Sequence, residues 1–477
     1  MNTGAPRPGL DEAEVRVRKI QAKLRQWATD DHDRRFDDLF NLVADPAFLV
    51  VAWARVRGNR GARTAGVDGV APRSIVFGAG AFLVGLRDDL KARRFQPLPV
   101  REKLIPKKGG KLRGLGIPTA RDRTVQAALK LVLEPIFEAD FKPVSYGFRP
   151  GRRAQDAIAE IHYYTSRSYE WVVEGDIKAC FDEIDHTALM GQMRHRVGDK
   201  RVLGLVKAFL KAGVLSEDGA ERDTITGTPQ GGILSPLLAN IALSVLDEHF
   251  VGAWEREMGT SHRREQRRRQ GLANYRLVRY ADDWVVIVAG TRADAERLRD
   301  EAAAVLVPLG LRLSEDKTSI THIDEGLDFL GMRIQRHTRR GATKRFVYTY
   351  PTRASLASVK AKVKAATTNR TTNQPVTVLM HRLNPVLRGW TNYHRHGASS
   401  KTFAYLGAYT WRRVWGWLRK KHPTATVKGL QRRYLNRWWP EQDGVRLFNP
   451  AAVAITRYRY RGAAIPTPWA TTTATPA

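Results

Sequence analysis

Two apolar runs flank a polar tetrapeptide near residue 280. Tyr275-Arg276-Leu277-Val278-Arg279 and Trp284-Val285-Val286-Ile287-Val288 have the length and side chains of strands, and Tyr280-Ala281-Asp282-Asp283 between them suits a tight turn. The hairpin so predicted holds two adjacent carboxylates at its tip. Coulomb repulsion disfavours that arrangement unless a cation or a base lies nearby; an ordinary Asp-containing turn is the alternative reading. Upstream, Trp171-Val172-Val173-Glu174-Gly175-Asp176 reads as an apolar strand that ends on a third carboxylate, Asp176.

The remaining pattern divides the chain. Residues 11–56 are predicted helical, with acids at the start and Ile20, Leu24 and Trp27 at helical spacing. A Gly/Arg-rich link follows over residues 58–69, then mixed strands and helices over 75–168, including a basic Gly-turn segment at 105–113. Residues 171–334 alternate strand-like and helix-like runs, which predicts an α+β layer. The polar, basic run at 262–269 predicts a loop or insertion. From residue 329 to residue 440 there is no Asp or Glu, against two dozen Lys and Arg. Trp390, Tyr393, Trp411, Trp415, Trp417, Trp438 and Trp439 are interleaved with that charge. The spacings Trp411/Trp415 and Val414/Leu418 suit an amphipathic helix, so helix core is one reading of these aromatics. The other is a nucleic-acid surface, since basic faces beside aromatic platforms suit RNA or single strands. The Thr/Ala/Pro-rich residues 467–477 predict a disordered tail.

Composition narrows the partner. The 477 residues predict about three domains. A formal net charge of +32 exceeds what solubility needs and predicts a polyanionic partner, with a merely basic surface as the alternative. No apolar run reaches the ~18 residues of a membrane span, and the first residues lack the charged-then-apolar pattern of a signal peptide. The single cysteine, Cys180, excludes an internal disulfide framework and a Cys-rich zinc module. A reducing cytoplasm fits.

Asp176, at the end of an apolar strand, adds a third carboxylate to the pair in the turn, and two-metal phosphoryl transfer uses carboxylates that bridge two Mg²⁺ about 4 Å apart. Mg²⁺ takes oxygen ligands and keeps waters, so a few carboxylates plus substrate phosphates suffice. In this setting the chain resembles the group II intron reverse transcriptase/maturases. Asp176-Ile177-Lys178-Ala179-Cys180-Phe181-Asp182 matches the first catalytic motif of that family, and the Tyr280 tetrapeptide matches the second. Gly227-Thr228-Pro229-Gln230-Gly231-Gly232-Ile233-Leu234-Ser235-Pro236 matches the segment between them, and Ser145-Tyr146-Gly147-Phe148-Arg149-Pro150 matches the fingers. Leu383-Asn384-Pro385-Val386-Leu387-Arg388-Gly389-Trp390 and Trp411-Arg412-Arg413 match the maturase region. The likeness covers about residues 15–465, with the motifs in the family's order.

The resemblance implies an α+β right-hand polymerase whose palm holds an antiparallel sheet, followed by an α-helical thumb/maturase region. It places an N-terminal helical extension at residues 1–59, fingers at 60–170, the palm at 171–345, the thumb/maturase region at 346–440 and a C-terminal extension at 441–477. It makes Asp176, Asp282 and Asp283 the catalytic triad, with the Ile177 carbonyl assisting two Mg²⁺ ions for which Mn²⁺ can substitute. Phe181 falls at an aromatic gate that excludes a ribose 2′-hydroxyl; an ordinary buried Phe is the alternative. Lys107 and Arg113 would grip the triphosphate, with Lys108 and Lys111 competing for the lysine's role. Gln230 and Gly231 would line the nucleotide pocket. Lys317 matches a lysine thought to protonate pyrophosphate, with a surface lysine as the alternative. Phe329, Leu330 and Gly331 resemble the primer-grip hairpin, and Arg388, Trp390, Arg412 and Arg413 would contact RNA or primer. Asp182 and Asp185 read as structural, Asp185 as a helix cap.

The implied partners are group II intron RNA, target DNA, an RNA template with a DNA primer, and deoxynucleoside triphosphates. No membrane is involved, and the place is a cytoplasmic bacterial ribonucleoprotein. With one cysteine the zinc-stapled nuclease of many relatives is expected to be missing, so a second-strand nick would come from elsewhere. The implied function is RNA-directed DNA synthesis joined to assisted splicing and target-primed mobility. A splicing-only maturase, a host-adopted enzyme in defence or DNA repair, and RNA-templated RNA synthesis are the alternatives.

Overall fold

In the computed structural model, which describes residues 8–75, 78–106, 112–338, 341 and 343–469, the strands that carry the acids form one four-stranded antiparallel sheet. Its order is Asn274–Tyr280, Asp283–Ala289, Trp171–Asp176 and Ser319–His322. Both faces are covered. Val173, Trp284, Val286 and Val288 pack into a core shared with the helices Ser235–Ala253 and Arg292–Leu306. Val172, Val278, Val285 and Ile287 pack on the other side with Ala157, Ile158 and Ile161 of the helix Ala154–Thr165. Burial on two faces is why these strands read as continuous apolar runs and not as alternating ones.

The first core reaches well beyond the sheet. It takes in Ala13, Val17 and Leu24 of the helix Leu10–Asp30 and the nearly wholly buried helix Ala120–Phe137. The expected helix over residues 11–56 is three: Leu10–Asp30, Phe40–Val43 and Pro46–Gly58. Asp45 caps the third through Ala47 N, with Pro46 at its first position, where a missing N–H costs nothing. The buried stripe of the first helix runs through Val17, Gln21, Leu24 and Ala28; Trp27 is exposed, with the Arg34 guanidinium 4.9 Å from its ring centroid. The basic run expected as a loop is the helix Ser261–Arg269, capped by Thr260 and burying none of its residues.

Before the sheet in sequence, Val100–Pro106 pairs antiparallel with Leu112–Ile117, in register Pro106↔Leu112. Lys107, Lys108 and Lys111 lie outside the described residues. Later in the chain, the helices Arg353–Ala366, Val376–His394, Ser400–Lys421 and Val427–Tyr434 build a separate core around Val359, Leu379, Leu383, Leu406, Val414 and Trp417. The chain then turns back. Tyr458 and Arg461 bond Asp156, Tyr460 bonds Glu160, Ile465 joins the core under the sheet, and Trp469 Nε1 donates to Gln21 Oε1 at 3.2 Å. Residues 467–469, expected as part of a disordered tail, are thus anchored through Trp469; residues 470–477 lie outside the described residues.

The helical region joins the strand Met332–Thr338 through His394. This ring is 2% exposed, with Nε2 2.9 Å from Ser355 Oγ and Nδ1 2.9 Å from Met332 Sδ. Burial alone lowers its pKa to about 4. The unfolded chain therefore binds a proton that the folded chain refuses between the ordinary value near 6.5 and 4, so stability is full above about pH 6.5 and falls as pH drops through that window. We expect denaturant titrations of the wild type to lose an increment of roughly 3 kcal/mol over that range. His394→Gln should lack that increment while keeping the slope contributed by the carboxylates.

Candidate active site

The turn at the sheet's end has two residues, Ala281 and Asp282, closed by the pair Tyr280↔Asp283. Ala281 sits at φ 59°, a left-handed conformation that a residue with a Cβ adopts at a cost. The buried Arg279 guanidinium holds it there. Its Nη1 donates to the Ala281 carbonyl at 2.9 Å and to Asn240 Oδ1 at 3.1 Å. Its Nε donates to Asp247 Oδ1 at 2.7 Å, and its Nη2 donates to Ser145 Oγ at 2.8 Å and to the other Asp247 oxygen. Both members of this ion pair have fully buried side chains. The segment at residues 145–147 closes on the same turn. Tyr146 N donates to the Arg279 carbonyl at 2.8 Å, and the Gly147 backbone lies so close that a Cβ there would stand 2.3 Å from Ala281 N.

The register of the sheet sets Asp176 directly opposite Asp283, next to Asp282 at the turn. Three carboxylates therefore share one edge. Although Asp283 faces solvent, partial desolvation followed by repulsion from Asp282 and Asp176 raises its carboxyl to about 6, against the opposing pull of Lys317. Glu174, half-buried two residues before Asp176, is pushed up to about 7 by burial and then by Asp328, Asp283 and Asp176. The cation that answers this negative charge is Lys317, whose Nζ lies 2.8 Å from Asp176 Oδ2. The backbone at Ser314 donates to the Asp176 carbonyl at 2.8 Å and so fixes the lysine's loop.

The donor set fits a hard divalent cation: carboxylate oxygens, plus the backbone of Ile177 next to Asp176, with a lysine ammonium as stand-in. The sulfur nearby is unsuited, since burial raises the Cys180 thiol to about 12. Among the described residues no three His, Cys, Asp or Glu side chains form a ready-made metal cage. Mg²⁺ does not require one, because it binds through one or two carboxylates, waters and substrate phosphates.

A second set of residues adjoins the first. Gln230 Nε2 donates to both Asp182 oxygens, at 2.8 and 2.7 Å, and Arg113 Nε donates to Gln230 Oε1. Gly116 N donates to the Gln230 carbonyl at 2.7 Å. Gly231, at φ 110°, packs so tightly on this strand that a Cβ would stand 2.6 Å from the Gly116 carbonyl oxygen. Phe181 is half-buried against the main core, and its carbonyl accepts from Thr228 N at 2.6 Å. Asp182 thus supports Gln230, and Asp185 caps the helix His186–Arg194 through Ala188 N at 2.7 Å.

Other expected contacts stand differently. Phe329 is 3% exposed in the core under the sheet, so its side chain does not reach a primer. Leu330, at φ 48° before Gly331, offers its carbonyl to Tyr393 Oη at 2.7 Å. Trp390 is half-buried against His394 and Phe403 and donates to Ser355 Oγ at 3.0 Å. Arg413 closes the end of a neighbouring helix through Thr367 Oγ1 and carbonyl, both at 3.0 Å. These two serve packing; Arg388 and Arg412 are exposed. Sequence reasoning missed Arg279, Asp247 and Gly147. Their signal was an arginine in a largely apolar strand and an acid at a core-facing position of a largely apolar helix.

The family described as reverse transcriptase (RNA-dependent DNA polymerase) matches residues 105–334, and the group II intron, maturase-specific domain matches residues 356–439. Protein YkfC of Escherichia coli (strain K12) is 38% identical over 356 residues, covering 70% of this chain and 92% of that protein. The group II intron-encoded protein LtrA of Lactococcus lactis subsp. cremoris is 34% identical over 376 residues, 68% of this chain and 61% of LtrA. A 91 kDa protein in the cob intron of Schizosaccharomyces pombe is 31% identical over 375 residues, 68% of this chain and 45% of that protein. The chain thus spans less than two thirds of the length of these two intron proteins. A solved Candida albicans telomerase is similar at TM-score 0.36 and 12% identity, over 70% of this chain and 64% of the other, too distant to bear on the site.

The tight seat of Gly147 on the turn generates a prediction. Gly147→Ala should leave the circular dichroism spectrum unchanged, yet lower primer extension on an RNA template by about a hundredfold, because a displacement near 1 Å at the reacting groups is enough.

Proposed function

The chain belongs to the group II intron reverse transcriptases, and from that premise we propose that it synthesises DNA on an RNA template and binds intron RNA to assist splicing and mobility. The observation that carries this reading is the edge on which Asp176, Asp282 and Asp283 meet across one strand pair, held from below by Arg279. Asp176, Asp282 and Asp283, with the Ile177 carbonyl, would hold Mg²⁺. Bound there, the metal supplies a lowered pKa for the attacking 3′-hydroxyl and charge neutralisation for the leaving pyrophosphate.

The rest falls to the chain's own side chains. Gln230, held between Asp182 and Arg113, would position the incoming deoxynucleoside triphosphate, with Arg113 and a lysine of the 107–111 segment on its phosphates. Phe181 would exclude the 2′-hydroxyl of a ribonucleotide. Lys317, now on Asp176, is long and exposed enough to swing to the pyrophosphate and protonate it. The fingers would be residues 60–170, the palm 171–345 and the thumb/maturase region 346–440. Arg388 and Arg412, on an acid-free stretch, would meet RNA phosphates, where affinity follows the charges neutralised and falls with salt.

Extension of a DNA primer on an RNA template with Mg²⁺ tests the assignment; no incorporation at any salt concentration would overturn it. Asp282→Ala should lower extension by about a thousandfold while intron RNA affinity stays within about twofold, since phosphate contacts set it. Phe181→Val should admit ribonucleotides that the wild type rejects.

A further inference from the structure

One aromatic side chain in the helical region has no role inside the fold. Trp438 is 71% exposed, whereas its neighbours are engaged. Trp439 turns inward and donates to the Leu447 carbonyl at 2.6 Å, and Trp417 is buried in the helical core. Trp411 and Trp415 stack with ring centroids 5.7 Å apart and planes 14° from parallel. Trp438 sits at the tip of a hairpin whose strands, Leu435–Asn436 and Trp439–Gln442, pair in the register Asn436↔Trp439. The two turn residues are therefore Arg437 and Trp438, at φ 45° and 70°.

Such a turn favours Asn-Gly, because both positions need positive φ. Here a long and a bulky side chain occupy them, at a backbone cost that contacts within the protein do not return. The tip is nonetheless fixed. Trp411 Nε1 donates to the Trp438 carbonyl at 2.8 Å, and that bond ties the hairpin to the stacked Trp411/Trp415 face, which Arg419 continues one turn on. Arg437 is exposed next to it in the turn, and Arg412 and Arg419 are exposed on the helix that carries Trp411 and Trp415. The nearest acid in sequence, Glu441, is taken by Asn436 Nδ2 at 3.2 Å and Arg446 Nε at 3.6 Å.

We propose that Trp438 is a stacking platform for an unpaired RNA base, presented by a strained hairpin among arginines that hold the flanking phosphates. It rests on the reading that the maturase region binds RNA, and it names the chemistry of one contact there. A flat, exposed indole needs an exposed π-face, which an unpaired nucleotide offers and a continuous duplex does not. The absence of acids from residue 329 to residue 440 selects a polyanion over a protein partner.

The test compares the full-length protein and three variants on two probes, an RNA hairpin with a single-stranded oligo(A) tail and the same hairpin blunt-ended. Trp438→Ala should weaken binding to the tailed RNA by about tenfold and leave the blunt RNA unchanged. Trp438→Phe should restore most of the loss. Trp438→Gly should bind as weakly as the alanine variant, with a melting temperature no lower than the wild type, because glycine relieves the strained turn. The proposal is overturned if the alanine variant binds the tailed RNA normally, if it loses both RNAs equally, or if Trp438→Gly melts well below the wild type. A wild type that binds neither RNA sinks the maturase reading as well, which separates the two failures.

Discussion

A buried arginine carries the geometry of the site. Arg279 joins three segments that are distant in sequence: its own hairpin, where it bonds the carbonyl of Ala281, the helix bearing Asn240 and Asp247, and the segment at Ser145. Removing one partner from such a pair costs about 3–5 kcal/mol, because it leaves a charge buried and uncompensated. The pair's net stabilisation over apolar residues is small by the same reasoning, so its value here is geometric. It sets a non-glycine residue at positive φ and thereby aims Asp282 and Asp283 at the end of the strand that bears Asp176.

That aim concentrates negative charge at one point of a protein whose formal net charge is +32. Three aspartates meet on one edge with Glu174 behind them, and burial first, then mutual repulsion, raises the pKa values of Asp283 and Glu174. One lysine answers it. The contrast suits an enzyme that must attract a polyanion over most of its surface and neutralise a reacting phosphate at one point. Long-range attraction of the substrate weakens with salt, whereas the short contacts at the edge are screened far less.

Much of this was legible in the chain. The two strands, the turn and Asp176 follow from largely apolar runs that end in acids, because burial on both faces leaves few polar residues inside those strands. The helical region was legible from the spacing of Trp411, Val414, Trp415 and Leu418. Tertiary partners were not. Phe329 lies in a motif that resembles a primer grip, yet its ring is in the core; Trp390 and Arg413 look like RNA contacts, yet they bond Ser355 and Thr367. Local sequence records side-chain chemistry but not which face a neighbouring helix covers. The helix at 261–269 escaped because it has no apolar stripe at all and depends on its cap and on arginine bonds to nearby carbonyls.

The central claim is that Asp176, Asp282 and Asp283 bind divalent metal on one edge. Fe²⁺ in place of Mg²⁺, with ascorbate and peroxide, cleaves the backbone near where it binds and so tests this most directly. The account predicts cuts within a few residues of Asp176 and of Asp283, suppressed by excess Mg²⁺ and lost in Asp176→Asn. Cuts at other positions, or cuts indifferent to Mg²⁺ and to that substitution, would contradict it.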